Sequence, residues 1–445
     1  MKQLFFFTLI FCGSLLFISC DEPVKKTDTE KINDKALSWL DTAVIYEVNL
    51  RQFTEEGTLK AFTDQHLERL HQLGVDILWL MPVHPIGELN RKGTLGSYYS
   101  IQDYYGVNPE YGTDEDFRLM VDKAHQLGMK VILDWVANHS AWDCAWVTEH
   151  PEYYTKDSTG KMISPFDWTD VVEFDYDNAA MKQAMIDALQ YWITDFDIDG
   201  YRCDVAGEVP TAFWNDARDS LDKIKAVFML AEAEKAELLN HAFHMDYGWE
   251  FHHIMNTIAK GEKTVADLQA YFAKEDSIYG LDKMKMRFIT NHDENSWNGT
   301  IAERMGDAAK AFAVLSWTTP GMPLIYTGQE SANTKRLEFF EKDAVDWNNY
   351  PMSAFYKQLN DLKTKNPALW NGNAGAEMKF LHTYNADVIA YKRGDVVVII
   401  NLSPREQKAD LHQKGHFTDY FTAEHKHLEG SITLDSWGYW VLIQE

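Results

Sequence analysis

A predicted buried β-strand ends in charged residues within the stretch Asp199-Gly200-Tyr201-Arg202-Cys203-Asp204-Val205-Ala206-Gly207-Glu208. Successive side chains of a strand point to opposite faces, so Arg202 and Asp204 share one face and Cys203 points to the other. A guanidinium at that distance favours the ionised form of the carboxylate, which a nucleophilic or charge-stabilising aspartate needs. A structural ion pair at a strand end is the alternative interpretation, and the rest of the chain has to decide between the two.

Seven further apolar runs accompany this strand, and amphipathic stretches separate them, which is typical of parallel strands joined by helices. In one such stretch, Thr113 is a predicted N-cap and Gly128 a predicted stop. Eight strand and helix pairs predict an α/β fold, a closed (β/α)8 TIM barrel with its active site at the carboxyl ends of the strands. An open doubly wound sheet is the alternative, but no glycine-rich phosphate loop follows any run. The predicted strands are 44–48, 75–81, 131–135, 200–205, 227–231, 243–247, 286–290 and 323–327.

The predicted barrel spans residues 39–366 and carries one long insertion. Between the third strand and its helix, residues 139–177 form an aromatic-rich excursion that is too long for an ordinary connection. Long loops at this end of a barrel are usually functional. Beyond residue 366 the pattern changes to short alternating runs, so we expect residues 367–445 to form a small all-β domain.

Carboxylates follow three of the predicted strands. Asp204 follows the fourth, Glu232 the fifth and Asp293 the seventh, and on one barrel these side chains would converge over the same mouth. Two carboxylates with different environments are the acid and the nucleophile of glycoside hydrolysis, and a separation of about 5–5.5 Å gives retention. We expect Asp204 to attack the anomeric carbon and Glu232 to protonate the leaving oxygen. Asp293 would favour the oxocarbenium-like transition state, while His139 and His292 could hydrogen-bond the ring hydroxyls.

The composition excludes some classes of partner. The 445 residues include 68 acidic and 42 basic side chains, for a net charge of −26, which argues against nucleic acid or an anionic bilayer. A neutral substrate fits better. Aromatic residues make up 13%, with 15 Trp, and such rings stack well on sugars, although many would simply fill the core.

The first 20 residues have the pattern of an export signal. Lys2 supplies a positive charge, and the apolar run at residues 4–18 is too short to span a membrane. The segment resembles a bacterial lipoprotein signal, so we expect cleavage before Cys20, lipid on that thiol and a polar tether at residues 21–38. An ordinary cleaved signal is the alternative. In either case we expect an exported protein whose membrane contact, if any, comes through the lipid anchor.

An ordered set of motifs resembles those of the α-amylase family, glycoside hydrolase family 13. Residues 74–83 are similar to the family's second strand, 134–139 to its first conserved region and 321–330 to its eighth strand. Tyr201-Arg202-Cys203-Asp204 resembles the nucleophile strand, and Asn291-His292-Asp293 the segment of the third carboxylate. Any one motif would be weak evidence, but the ordered set is specific.

This resemblance implies a barrel, an excursion domain after the third strand and a C-terminal antiparallel β-sandwich. It also implies site residues by motif position: Asp204 as nucleophile, Glu232 as acid and Asp293 as stabiliser of the transition state. The residues that the resemblance places around the substrate are Tyr99, which would stack beneath the reacting glucose, and His139, Arg202 and His292.

The chain departs from the family pattern directly after the nucleophile strand. Where typical members carry Lys-His, it has Gly207-Glu208. The resemblance implies that the family's histidine there offers a carbonyl to calcium and its lysine binds the glucan beyond the cut, so the lysine's role is lost here. Asn138 and Asp170 are candidate calcium ligands, although calcium requires several oxygen ligands. We expect no obligatory cofactor, with Ca²⁺ as a candidate ion.

The function that the resemblance implies is cleavage of α-glucosidic bonds, most often α-1,4, in starch-derived glucans or maltooligosaccharides. A transglycosylase or isomerase acting through the same intermediate is one alternative. A non-catalytic glucan-binding lipoprotein is another, but retention of every catalytic residue argues against it. The expected location is the periplasmic face of a bacterial membrane or the cell surface. The exact substrate, endo or exo action and oligomeric state stay open.

Overall fold

The computed structural model describes residues 36–280 and 283–445. The predicted signal at residues 1–20, with Cys20, and most of the predicted tether at 21–38 lie outside the described residues. Among the residues that are described, no helix combines the length and the hydropathy that a membrane span requires.

The described strands form a closed barrel, a small two-stranded sheet and a six-stranded sheet. The strands are β1 (Ile45–Val48), β2 (Ile77–Leu80), β3 (Lys130–Trp135), β4 (His139–Ala141), β5 (Val171–Glu173), β6 (Gly200–Cys203), β7 (Phe228–Ala231), β8 (Met245–Tyr247), β9 (Met284–Arg287), β10 (Met322–Tyr326), β11 (Met378–Phe380), β12 (Val388–Arg393), β13 (Val396–Asn401), β14 (Gln407–Asp419), β15 (His425–Leu434) and β16 (Tyr439–Gln444). The barrel consists of eight parallel strands in the order β1-β10-β9-β8-β7-β6-β3-β2, which confirms the predicted TIM barrel.

Helices connect the barrel strands and cover their outer face. Thr113 caps the helix that follows the second strand, as predicted, in a capping box with Asp116. The α-helices are α1 (Leu50–Phe53), α2 (Leu59–Gln65), α3 (Leu67–Leu73), α4 (Asp114–Gln126), α5 (Ala145–Glu149), α6 (Ala179–Phe196), α7 (Thr211–Leu221), α8 (Trp249–Ala259), α9 (Val265–Tyr279), α10 (Ile301–Arg304), α11 (Ala309–Thr318) and α12 (Ser353–Lys365).

The barrel interior changes from apolar to polar along its axis. Ile45 on β1 and Ile132 on β3 belong to the apolar cluster that fills the lower part. Two residues further along the same strands, Glu47 and Asp134 are fully buried, as is Arg202 on β6. Since alternate side chains of a barrel strand point inward, these charges form a polar layer at the carboxyl ends of the strands, where a TIM barrel carries its site.

Two smaller sheets flank the barrel. In the excursion, β4 pairs antiparallel with β5, with His139 opposite Glu173. The C-terminal strands form an antiparallel sheet in the order β11-β12-β13-β16-β14-β15, which confirms the predicted antiparallel domain; its strands are hydrogen-bonded into one sheet. The hydroxyls of Tyr391 on β12 and Thr318 on α11 lie 2.6 Å apart, so one face of the sheet packs on the barrel.

Candidate active site

Arg202 lies at the centre of the site, fully buried at the end of β6. Its Nη1 lies 2.7 Å from Oδ1 of Asp134 and 3.1 Å from Oδ1 of Asp204. Its Nη2 lies 2.8 Å from Oε2 of Glu232, and its Nε donates to the Tyr247 hydroxyl at 3.1 Å. One guanidinium therefore joins carboxylates from the ends of three neighbouring strands.

Because Arg202 contacts three carboxylates, an expectation about the pKa of Asp204 has to be corrected. The sequence predicted that Arg202 would hold Asp204 ionised, but the pKa of Asp204 is raised well above its usual range, first by burial and then by the charge of Glu232. Arg202 lowers that pKa less, because its charge is divided among several carboxylates. The predicted contact between Arg202 and Asp204 exists, whereas the predicted electrostatic result was wrong.

A strained turn connects the predicted nucleophile to the predicted acid. The strand was predicted to run to Val205, but β6 ends at Cys203 and Val205 has a φ of 37°, a left-handed conformation that is costly for a β-branched residue. In this conformation the Val205 N–H donates to Oε2 of Glu232 at 2.8 Å. The N–H of Glu232 in turn donates to the carbonyl of Cys203 at 3.0 Å. The strain thus accompanies a direct link between the Asp204 turn and the Glu232 carboxylate.

A hydrogen-bonded chain runs through the buried floor of the site. The Tyr99 hydroxyl donates to Oδ2 of Asp134 at 3.1 Å and lies 2.8 Å from Nε2 of His292. On the other side of the imidazole, Nδ1 lies 2.5 Å from Oε1 of Glu47. Sequence reasoning missed Glu47, because a single glutamate within an apolar run gives no signal unless its inward register is known.

The pKa values of two histidines in the site are shifted in opposite directions. Burial alone would lower the pKa of His292, but Asp293 and Glu47 raise it to about 9. Burial lowers the pKa of His139 to about 4, so this ring is neutral at neutral pH and can both donate and accept hydrogen bonds. Oδ2 of Asp293 lies 3.4 Å from Nε2 of His292, and the Asp293 side chain is 35% exposed.

The described residues enclose a cavity of about 520 Å³ at this end of the barrel. It brings together most of the predicted site residues, whereas Arg202 lies beneath it and Asn138 does not line it. Sequence reasoning missed three aromatic side chains: Trp297 comes from the short π-helical segment Glu294–Asn298, and Phe339 and Phe340 come from a loop. The residues that line the cavity are Lys92, Ser97, Tyr99, His139, Asp167, Trp168, Asp170, Val171, Asp204, Val205, Glu232, His292, Asp293, Trp297, Phe339 and Phe340.

The two candidate calcium ligands have protein partners. Nζ of Lys92 lies 2.8 Å from Oδ1 of Asp170, and Nδ2 of Asn138 lies 3.2 Å from Nδ1 of His139. Within the described residues, no three His, Cys, Asp or Glu side chains are grouped so that they could hold a metal ion. A lysine ammonium on the carboxylate does not fit a calcium site, since it neutralises a charge that the cation would need.

A lysine also lies near the place where the sequence departs from the family pattern. Lys235, which follows β7, donates from Nζ to the carbonyl of Gly207. A Cβ atom on Gly207 would lie 3.3 Å from Cε and 3.4 Å from Nζ of Lys235, so a larger residue would crowd this lysine. From the sequence we expected no lysine to take the place of the family's lysine. The structure shows that Lys235, from the loop after β7, lies close to this position.

Comparison with known proteins places this site in a family. The family model described as Alpha amylase, catalytic domain, matches residues 25–170 and 157–377. The chain belongs to the α-amylase family. This family member is 31% identical to an α-amylase of Lactobacillus plantarum whose crystal structure superposes with a TM-score of 0.82, over 91% of this chain and 99% of that one.

Two further relatives of this α-amylase family member differ in length. A noncanonic maltogenic α-amylase of Thermotoga neapolitana is 29% identical, with a TM-score of 0.83 over 91% of this chain and 100% of that one. The α-amylase MalA of Haloarcula japonica is 27% identical over 428 residues, which cover 90% of this chain and 62% of the relative. The chain thus spans less than two thirds of the length of that archaeal relative.

Proposed function

We propose that this protein is a retaining glycosidase that cleaves α-glucosidic bonds, chiefly α-1,4, in maltooligosaccharides and other starch-derived glucans. The observation that carries the proposal is the meeting of Asp204, Glu232 and Asp293 around one cavity, with Arg202 in contact with Asp204 and Glu232. The names of the α-amylase relatives support the substrate class.

In the first displacement, a carboxylate oxygen of Asp204 attacks the anomeric carbon while Glu232 gives its proton to the glycosidic oxygen. The bond between that carbon and the leaving oxygen breaks, and a covalent glycosyl ester on Asp204 remains. Burial and then the charge of Glu232 raise the pKa of Asp204, so the proton that Glu232 carries as general acid removes one of the two effects that oppose an ionised Asp204.

In the second displacement, the ionised Glu232 accepts a proton from water, and the water oxygen attacks the anomeric carbon. The ester bond breaks, Asp204 leaves as a carboxylate, and the sugar is released with its original anomeric configuration. Asp293 stabilises the positive charge that develops on the ring, and Tyr99 supplies an aromatic surface beneath the reacting sugar.

The same proposal includes a metal-independent site. Lys92 supplies Asp170 with a cation from the chain itself, so we assign no step to calcium and expect no obligatory cofactor.

Location and domain division belong to the proposal as well. We propose export with a lipid anchor on Cys20, on the sequence pattern alone, and a barrel domain at residues 39–366, with its excursion at 139–177, followed by a C-terminal domain at 367–445. Palmitate labelling of the full chain tests the anchor: we expect label and membrane association that Cys20→Ser abolishes. Label on the variant would contradict it.

Maltoheptaose digestion tests the proposed function. We expect the wild-type protein to shorten the chain, and Glu232→Gln to lower kcat by about 10³-fold, since general acid and base catalysis is lost. Binding of maltotriose to this variant should persist. Glu234→Gln is the matched control, because Glu234 follows the same strand but does not line the cavity. Binding without any cleavage by the wild type would favour the non-catalytic alternative.

A further inference from the structure

The pair of Glu47 and His292 lies deeper than the carboxylates that take part in the proposed chemistry. Glu47 is fully buried on β1 and His292 is 2% exposed, and Oε1 of Glu47 lies 2.5 Å from Nδ1 of His292. The other carboxylate oxygen, Oε2, is buried without a hydrogen-bond partner among the described residues. Among the described residues, the hydrogen bonding of the Glu47 carboxylate is therefore directed to this imidazole.

The opposite side of the imidazole faces the cavity. Nε2 of His292 lies 2.8 Å from the Tyr99 hydroxyl, which donates its own hydrogen to Asp134 at 3.1 Å. The hydroxyl therefore accepts from His292, which requires a hydrogen on Nε2. A carboxylate at Nδ1 requires a hydrogen there as well, so the contacts on both sides call for an imidazolium.

We propose that Glu47 is a positioning residue that holds His292 protonated on both nitrogens and turns its Nε2–H toward the cavity. In this structure the Tyr99 hydroxyl accepts that N–H, and a hydroxyl of the bound sugar accepts it when substrate fills the cavity. This inference rests on the proposed function, because it concerns how the same cavity binds maltooligosaccharides. A charged donor makes a stronger hydrogen bond to a hydroxyl than a neutral one does. Glu47 thus acts on the substrate only through His292.

The electrostatic surroundings agree with this assignment. The pKa of His292 is raised to about 9 even though burial opposes the charge. Two neighbours favour the imidazolium, Asp293 and Glu47, whereas Arg202 opposes it. The titratable or charged groups that face His292 are Glu47 from β1, Tyr99 from the loop after β2, Asp134 from β3, Arg202 from β6 and Asp293 beside it in sequence.

A matched control exists on the other face of the same strand. Tyr46 donates to Oε1 of Glu330 at 2.8 Å, and Arg69 lies 2.8 Å from the same oxygen. Glu330 is fully buried and does not line the cavity. Removing its charge therefore costs a buried ion pair beside β1, as removing that of Glu47 does, without touching His292.

Calorimetric binding of maltotriose to Glu232→Gln, which prevents turnover, tests the proposal between pH 6 and 8.5. We expect nearly constant affinity in this parent variant. Adding Glu47→Gln should make the affinity fall at least fivefold across the range, since His292 would lose its proton there. Adding Glu330→Gln should lower the thermal stability but leave the pH profile of binding unchanged.

The outcomes separate the inference from the function on which it rests. Parallel pH profiles for the parent and the Glu47→Gln variant would overturn the role of Glu47 alone, whereas no maltotriose binding by the parent at any pH would overturn the proposed function too. Glu47→Asp keeps the charge one methylene further away and covers the case in which Glu47→Gln does not fold. Its affinity should fall at a lower pH than that of the parent; a profile identical to the parent's would overturn the proposal.

Discussion

The ammonium group of Lys92 lies 2.8 Å from Oδ1 of Asp170 and joins the loop after β2 to the excursion. Asp143 reinforces this junction, because its Oδ2 accepts from the N–H of Glu88 at 2.8 Å and from Nε2 of Gln102 at 3.0 Å. The side of the cavity formed by Lys92 and Asp170 is therefore held by contacts within the protein.

Replacing Lys92 should destabilise the protein. Lys92→Met leaves Asp170, which is only 5% exposed, without its cation, and we expect the free energy of unfolding in urea to fall by about 1–2 kcal/mol. Lys60→Met is the control, because its partner Asp64 is exposed and solvent-exposed ion pairs contribute little to stability. Addition of EDTA should leave the wild-type melting temperature unchanged. A large drop with EDTA would contradict the metal-independent site.

Replacing Arg202 by lysine should lower the hydrolytic activity, even though lysine keeps the positive charge. A lysine cannot contact Asp134, Asp204 and Glu232 at once, so we expect kcat on maltoheptaose to fall by about 10²-fold or more. Arg287→Lys is the control: Arg287 is buried against Glu275 but does not line the cavity. Equal loss of kcat in both variants would show that the effect is general destabilisation.

The free energy of unfolding should fall at alkaline pH, because His292 loses its proton there. Its pKa is about 9 in the folded protein and about 6.5 in an unfolded chain, so its contribution is fully present below about pH 6.5 and is lost as the pH rises through about 9. We expect the free energy of unfolding to drop by up to about 3 kcal/mol over this window. Urea melts of His292→Gln should lack this component, and an equal drop in the variant would refute the assignment.

Much of the barrel was predictable from the sequence because most strands are short apolar runs between helical patterns. One exception is β9 (Met284–Arg287), which carries Lys285 and Arg287, so the apolar run predicted for it at 286–290 begins two residues too late. The convergence of Asp204, Glu232 and Asp293 followed from the geometry of a parallel barrel. The left-handed Val205 was not predictable, since a β-branched residue disfavours that conformation and tertiary contacts impose it. Glu47 and His292 are 245 residues apart in the sequence, and no local sequence pattern predicts a contact between residues so far apart.

Lys235 should contribute to binding on the side of the leaving chain. It lies against Gly207, where the family pattern would place a lysine. We expect Lys235→Met to raise KM for maltoheptaose about fivefold, the equivalent of one hydrogen bond, with little effect on a maltoside that ends at the cut. Lys274→Met, which breaks a surface pair with Glu250, is the control. Equal changes for both substrates would argue against this role.

The anomer released first from maltoheptaose tests the central claim most directly. Proton NMR during the first minutes of digestion, before mutarotation, distinguishes the two configurations of the new reducing end. Double displacement through an ester on Asp204, with Glu232 as acid and base, predicts the α-anomer. Initial release of the β-anomer would mean a single displacement by water and would contradict the account.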